Sequence, residues 1–132
     1  MKIRTIALLI SLLILQPRLV YASSVKLSPV YEKCIVRAGA VDPAVLDCIN
    51  KEYELQDKRL NVSYKALMAK LNSSRKAQLQ EAQRLWLKFI EANCGFYHDP
   101  DGGSVALMMA AQCSVDARAQ RANELEDFVK SN

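Results

Sequence analysis

Residues 42–71 have the sequence DPAVLDCINKEYELQDKRLNVSYKALMAKL, in which apolar side chains recur with helical spacing. Asp42 is a suitable N-cap, and Pro43 is tolerated at the first position of a helix. Steps of three, four and seven residues separate the members of the apolar stripe. This spacing indicates a helix and not a strand. The stripe comprises Leu46, Ile49, Tyr53, Leu60, Tyr64, Leu67 and Leu71, with a gap at Gln56 or Asp57.

Two further helices are predicted downstream. Asn72-Ser73-Ser74 interrupts the first stripe and can cap a helix from about Arg75 to Cys94, and after a Gly- and Pro-rich loop Ser104 can cap another. The residues expected to face the core of the second helix are Leu79, Ala82, Leu85, Trp86, Phe89, Ile90 and Asn93. Those of the third are Leu107, Met108, Ala111, Val115, Arg118, Arg121, Leu125 and Phe128. The predicted fold is all-α, two long antiparallel helices with a third packed across them.

The first residues have the pattern of a secretory signal peptide. Lys2 and Arg4 precede an uncharged run from Thr5 to Leu15, and Ala22 is a small residue at a suitable cleavage site. The apolar run is shorter than the roughly 20 residues that a transmembrane helix needs. The chain is accordingly divided into a signal peptide (1–22), an extended or partly helical N-terminal arm (23–41) and a helical domain (42–130).

The net charge of +4 belongs mostly to the signal peptide. Removal of Lys2, Arg4 and Arg18 leaves 15 basic and 14 acidic residues, a charge of +1. A nearly neutral chain gives no support for binding to nucleic acid or to an anionic membrane. Because of its signal peptide, the mature protein is expected to be periplasmic or secreted. Because of its low charge and short apolar run, no nucleic-acid partner and no membrane insertion after cleavage are expected.

The four cysteines, Cys34, Cys48, Cys94 and Cys113, indicate two disulfides, because an even number in a small exported chain is typical of a disulfide framework. A zinc site is the alternative, but the sequence has no C-x-x-C pair and His98 is its single histidine. Of the three possible pairings, proximity in sequence favours Cys34–Cys48 and Cys94–Cys113. No metal or other cofactor is expected.

Motifs of enzymes are missing from the sequence. The segment Gly102-Gly103-Ser104-Val105-Ala106 lacks the final glycine of a G-x-S-x-G nucleophile elbow. A catalytic pair of Cys94 and His98 would need a free thiol, which a disulfide removes. Asp99 and Asp101 resemble the start of a calcium loop, but the next ligand position is a glycine. The chain is predicted not to be an enzyme.

Three arginines are candidate partner-binding residues. Arg84 lies off the apolar stripe, where it can pair with Glu81 or contact a partner. Arg118 and Arg121 lie about one helical turn apart, which is compatible either with a solvated face or with an anion clamp. The sequence leaves both interpretations open.

A series of motifs resembles one protein family. In order, the motifs are Cys34, Cys48, Leu60-Asn61-x-x-Tyr64-x-x-Leu67, Leu79-x-x-Ala82-Gln83-Arg84-x-Trp86, Cys94, Gly102-Gly103-Ser104, Cys113 and Arg121-x-x-x-Leu125. Over residues 34–128 the chain resembles the lysozyme inhibitor LprI-like family of small exported bacterial proteins. The resemblance implies a helical periplasmic domain with two disulfides, and inhibition of lysozyme as its activity. Where many members have Phe-Arg-Asp, this chain has Phe89-Ile90-Glu91.

The loop between Gly95 and Ser104 is the expected inhibitory surface, with lysozyme as the expected partner. A bridge between flanking cysteines would preorganise this loop and lower the entropic cost of inserting it into a cleft. Asp99 and Asp101 could meet basic residues at the rim of a cationic lysozyme, and His98 and Ser104 could bind the two carboxyls of its cleft.

Two other classes of function compete with inhibition. The first is an interaction or scaffold module that binds an unidentified periplasmic or envelope protein and does not inhibit lysozyme. The second is a glycan-binding accessory protein that uses Tyr97 and Trp86. An exposed apolar patch of several hundred Å² would favour the scaffold.

Overall fold

Four helices make up most of residues 25–131, which the computed structural model of this protein describes. They are α1 (Pro29–Ala38), α2 (Asp42–Lys70), α3 (Ser73–Phe96) and α4 (Gly103–Ser131). The described residues include no strand, which confirms the all-α prediction. The signal peptide predicted for residues 1–22 lies outside the described residues.

Of the three long helices, only α3 begins with the side-chain cap that the sequence predicts. Asn72 is the N-cap of α3, and its side chain accepts a hydrogen bond from the Arg75 amide at 3.0 Å, as predicted. The predicted capping of α2 by Asp42 was wrong, because Val41 occupies the N-cap position. Ser104 lies within the first turn of α4, and its hydroxyl donates instead to the Asp42 carboxylate at 2.5 Å.

The three long helices run up, down and up. Contacts between α2 and α4 join residues that rise together in number, namely Asp42 with Ser104, Asp57 with Arg118, and Lys70 with Val129. Those helices are therefore parallel. Contacts between α3 and α4 run in opposite order, Gln83 with Arg121 and Cys94 with Cys113, so α3 is antiparallel to both. Consequently α4 lies alongside α2 and not across the first two helices.

The core lies mainly between α2 and α4, which share the most extensive interface. Leu60 and Leu67 of α2 form a buried cluster with Ala122 and Leu125 of α4. Partly buried side chains that pack against this cluster are Tyr64, Leu71, Leu79, Trp86 and Val129. The core therefore holds α2 against α4 along the second half of each helix.

Helix α3 contacts α4 along a narrow seam. Its buried residues are Gln83, Ile90 and Cys94, which lie seven and four positions apart. Leu85 and Phe89, expected to face the core, are 52% and 61% exposed. Apart from Leu79 and Trp86, which pack against the core cluster, the buried part of α3 is this narrow stripe, so apolar residues on its flanks remain in water.

The predicted arm contains α1, which a disulfide and a polar contact attach to α2. Cys34 and Cys48 are bonded, with their Cα atoms 5.7 Å apart. The Ser28 amide and hydroxyl both donate to the Glu52 carboxylate, at 2.8 and 2.5 Å. Glu52 is only 3% exposed and also accepts from Gln56 Nε2 at 2.8 Å. This polar contact explains the gap in the apolar stripe of α2, since both residues face the core.

Candidate partner-binding surface

The loop Tyr97–Gly102, which joins α3 to α4, is held in one conformation by its own backbone. The amides of Tyr97 and His98 donate to carbonyls in the last turn of α3, at 3.2 and 3.0 Å. The Asp99 amide donates to the Tyr97 carbonyl, and the Gly102 amide donates to the Asp99 carbonyl, each at 3.0 Å. The Asp101 amide donates to Asp99 Oδ1 at 2.9 Å. Every backbone N–H group of the loop is therefore hydrogen-bonded.

Two glycines shape the C-terminal end of this loop, and a disulfide joins the helices that flank it. A Cβ on Gly102 would lie 2.6 Å from the Cβ of Ala106, so the loop approaches α4 more closely than a side chain would allow. Gly103 has a φ of +61°, in the left-handed region that favours glycine. Cys94 and Cys113 are bonded, with their Cα atoms 5.5 Å apart. Both predicted disulfide pairings are confirmed.

The side chains of this end of the bundle face solvent. His98, Asp99 and Asp101 are exposed, as is Ser104 beside them. Phe96 is 86% exposed and forms an edge-on pair with Tyr97, with ring centroids 6.2 Å apart. The surface therefore combines aromatic, acidic and imidazole groups on a fixed backbone.

Phe96 was not among the candidate residues predicted from the sequence. The buried seam of Gln83, Ile90 and Cys94, which only the structure defines, continues to position 97 or 98 and leaves Phe96 exposed.

A groove connects this loop with one of the predicted arginines. The groove has a volume of about 510 Å³ and lies between α3 and α4. His98 lines one part of it and Arg118 another, while Leu87 and Leu107 contribute exposed apolar surface. Two of the candidate residues are thus brought to one concave surface.

The three candidate arginines all have partners within the protein. Arg118 donates to Asp57 Oδ1 at 3.0 Å and lies over the Tyr53 ring, 4.2 Å from its centroid. Arg121 points to α3, where it donates to Gln83 Oε1 at 3.1 Å. Although these two arginines are one turn apart, their guanidinium groups therefore bind different helices.

Arg84 pairs with its own helix neighbour. Its guanidinium donates twice to the Glu81 carboxylate, at 2.7 and 2.5 Å. This hydrogen bond lowers the pKa of Glu81 and raises that of Arg84. Both side chains are about half-exposed, so the pair remains accessible to a partner.

Tyr97 and Trp86 do not share a site. Tyr97 lines a groove with Phe89 and Met109 at the loop end of α3 and α4. Trp86 instead lines a cleft between α2 and α3 together with Tyr64. A glycan bound by both Tyr97 and Trp86 would have to span two separate depressions.

Neither a metal cluster nor a membrane span is found in the described part of the chain. Within residues 25–131, no group of three or more His, Cys, Asp and Glu side chains could hold a metal ion. No helix in that range has an apolar stretch that could cross a bilayer.

The sequence of the chain matches one known protein family. The sequence model of the family described as Lysozyme inhibitor LprI matches residues 34–125. The chain belongs to this family. The match begins at Cys34 and ends at Leu125, so it includes both disulfides and the whole buried cluster of α2 and α4. Membership in the LprI family confirms the resemblance noted in the sequence.

One curated relative is described only as an uncharacterized protein. It is a protein of Rhizobium meliloti (strain 1021), 25% identical over 100 residues, which cover 64% of this chain and 70% of that protein. No solved structure matches the chain. The inhibitor family therefore provides the functional expectation, and the two disulfides are typical of proteins in oxidising compartments.

Proposed function

We propose that this protein binds lysozyme in the periplasm or outside the cell and inhibits it, with the loop Tyr97–Gly102 as the central contact. Membership in a family described as lysozyme inhibitors supports the target. The choice of surface is supported by the loop itself, in which every backbone N–H group is hydrogen-bonded. A loop that is already ordered loses little conformational entropy when it binds.

The chemistry of this surface suits a cationic enzyme with a carboxyl-lined cleft. Asp99 and Asp101 supply local negative charge, which matters because the mature chain has a net charge of only +1. His98 can hydrogen-bond a carboxyl group of the cleft. Phe96 adds an exposed aromatic ring, and aromatic rings are enriched at the centres of protein interfaces.

A lysozyme turnover assay on bacterial cell walls tests this proposal. Oxidised protein from residue 23 onward should inhibit saturably, and reduction of its disulfides should abolish the inhibition. If neither animal nor bacterial lysozymes are inhibited at high molar excess, the proposed function is refuted.

A double variant tests the loop itself. Asp99→Asn with Asp101→Asn removes two charges but keeps a side-chain acceptor for the Asp101 amide. Glu54→Gln with Asp127→Asn is the matched control, because it removes two exposed charges from helices away from the loop. The loop variant should inhibit more weakly, by about tenfold or more, and the control should inhibit like the wild type. Equal inhibition by both variants would refute the electrostatic contribution of the loop.

Binding of a helical envelope protein is a second candidate function. Leu85, Phe89 and Phe96 lie four and seven positions apart along one side of α3, and all three are more than half exposed. Such a row suits the apolar face of a partner helix. Phe89→Ser should then abolish copurification of an envelope protein without affecting lysozyme turnover, whereas Leu55→Ser on α2 should change neither.

A further inference from the structure

A second concave surface, the α2–α3 cleft, lies between the helices that carry the two longest motifs of the sequence. The cleft has a volume of about 460 Å³, within the range of small-molecule sites. Its lining residues are Asp57, Leu60, Asn61, Tyr64, Gln80, Gln83, Arg84, Trp86 and Leu87. The segments 60–64 and 82–86, which are distant in sequence, therefore meet at one site. The proposed contact with lysozyme uses neither segment.

Two aromatic side chains of the cleft have unused polar groups. Tyr64 and Trp86 are half-buried and pack against the core cluster. Within residues 25–131, the Tyr64 hydroxyl and the Trp86 indole N–H have no hydrogen-bond partner in the protein. Buried tyrosine and tryptophan usually satisfy these groups, so here they remain available to water or to a ligand.

The cleft also contains three side-chain amides with unused hydrogen-bonding capacity. Asn61 donates through Nδ2 to the carbonyl and carboxylate of Asp57, each at 2.9 Å, which leaves its Oδ1 as an acceptor. Gln83 accepts from Arg121 at 3.1 Å through Oε1, and its Nε2 has no acceptor among the described residues. Within residues 25–131, every fully buried side-chain N or O atom has a hydrogen-bond partner. Gln83 Nε2 has none, so this atom must be accessible to solvent. Gln80 is exposed, and its amide is likewise unpaired within residues 25–131.

We propose that the α2–α3 cleft is a binding site for an oligosaccharide of pyranose rings. The apolar C–H face of a pyranose ring packs on an aromatic ring such as those of Trp86 and Tyr64. Sugar hydroxyls both donate and accept hydrogen bonds, which matches the open oxygen of Asn61 and the open N–H of Gln83.

An extended peptide fits the cleft less well. Peptides bind by adding a strand to a sheet edge or by placing apolar anchors in a groove. Residues 25–131 offer no sheet edge, and most of the residues that line the cleft are polar. The charged side chains of the cleft, Asp57 and Arg84, are already paired with Arg118 and Glu81. The remaining aromatic rings and side-chain amides therefore favour a sugar.

The single tryptophan of the chain provides a direct measurement. Trp86 is the only tryptophan in all 132 residues, so the intrinsic tryptophan fluorescence reports on this cleft alone. Oxidised protein from residue 23 onward is titrated with chitotetraose, with cellotetraose and with a short neutral peptide. A saturable change with either sugar is expected, and the preference between them distinguishes an N-acetylated amino-sugar polymer from a plain glucose polymer.

A pair of variants locates the binding. Asn61→Ala with Gln80→Ala removes two exposed amides of the cleft and should weaken sugar binding about tenfold, since each lost hydrogen bond contributes a few-fold. Asn50→Ala with Gln120→Ala, which removes exposed amides outside the cleft, should bind like the wild type. The proposal is overturned if neither sugar changes the fluorescence, if only the peptide does, or if both variants bind equally well. None of these outcomes depends on whether the protein inhibits lysozyme.

Discussion

The two disulfides should contribute equally to stability and unequally to inhibition. Their sequence separations are 14 for Cys34–Cys48 and 19 for Cys94–Cys113. In the chain-entropy model, closing either loop stabilises the folded state by about 3 kcal/mol. Only Cys94–Cys113 joins α3 to α4, the two helices that the loop Tyr97–Gly102 connects, because Cys34–Cys48 joins α1 to α2.

The test compares two double-alanine variants. With an unfolding entropy of roughly 2.1 cal/mol/K per residue, a loss of about 3 kcal/mol lowers the Tm of a chain that starts at residue 23 by about 13 °C. Cys34→Ala with Cys48→Ala and Cys94→Ala with Cys113→Ala should both show that shift in thermal unfolding. Alanine is preferred to serine because Cys48 and Cys94 are nearly inaccessible, and a buried hydroxyl would add its own cost.

Lysozyme turnover and amide hydrogen exchange are then measured where both variants are folded. Without Cys94–Cys113, the amides of Tyr97–Gly102 should lose protection and inhibition should weaken by about tenfold or more, because the loop must be ordered on binding. Without Cys34–Cys48, both properties should match the wild type. If the two variants lose inhibition to the same extent, preorganisation by the second disulfide is not the cause, and the argument for this surface fails.

Three further substitutions test the end of the loop, the buried contact of Glu52 and the ion pair between Arg59 and Glu126. Gly102→Ala would place a Cβ 2.6 Å from that of the next helical turn, so it should weaken lysozyme inhibition, whereas Gly95→Ala, which meets nothing within 4 Å, should not. Glu52→Gln replaces one carboxylate oxygen with an NH2 group, so a donor faces the existing donors of Ser28 or Gln56. It should lower the free energy of unfolding in urea by about 1–3 kcal/mol; an unchanged value would contradict the buried contact. Arg59 of α2 donates to the Glu126 carboxylate of α4 from Nε and Nη2, at 2.6 and 2.5 Å. This side-chain hydrogen bond is the main reason that the pKa of Glu126 is below its usual value. The ion pair thus stabilises the fold above the unfolded carboxyl pKa of about 4.3, and this stabilisation is lost as the pH falls through the lower folded value. Arg59→Met should therefore flatten the acid dependence of stability, and identical slopes in urea titrations from pH 7 to pH 3 would argue against it.

Local signals in the sequence predicted the three long helices to within a few residues, but they did not predict the bounds of α1 or the caps of α2 and α4. Asn72 caps α3 because its side chain needs only the amide of Arg75, three residues away. The loop was predicted from its glycines and proline, whose backbone preferences act without tertiary contacts. Both disulfide pairings followed from short sequence separations. Each of these features depends on residues that are close in the chain.

Features that depend on neighbouring helices were not predictable in the same way. The spacing of Leu85 and Phe89 places them on an apolar stripe, but how wide a stripe is buried depends on how many helices pack against it. Arg118 and Arg121 are one turn apart, yet their long side chains reach different partners, which only the assembled bundle defines. The convergence of segments 60–64 and 82–86 on one cleft likewise requires the antiparallel arrangement of α2 and α3.

The parallel alignment of α2 and α4 sets an order for oxidation and folding. Leu60 and Leu67 of α2 pack against Ala122 and Leu125 of α4. This core therefore forms only after α4, the last helix, has left the ribosome or the export channel. Each cysteine, by contrast, bonds the next one along the chain. A catalyst that oxidises cysteines in the order in which they emerge therefore produces the native pairs directly. Cross-linking needs neither the finished core nor a later disulfide exchange.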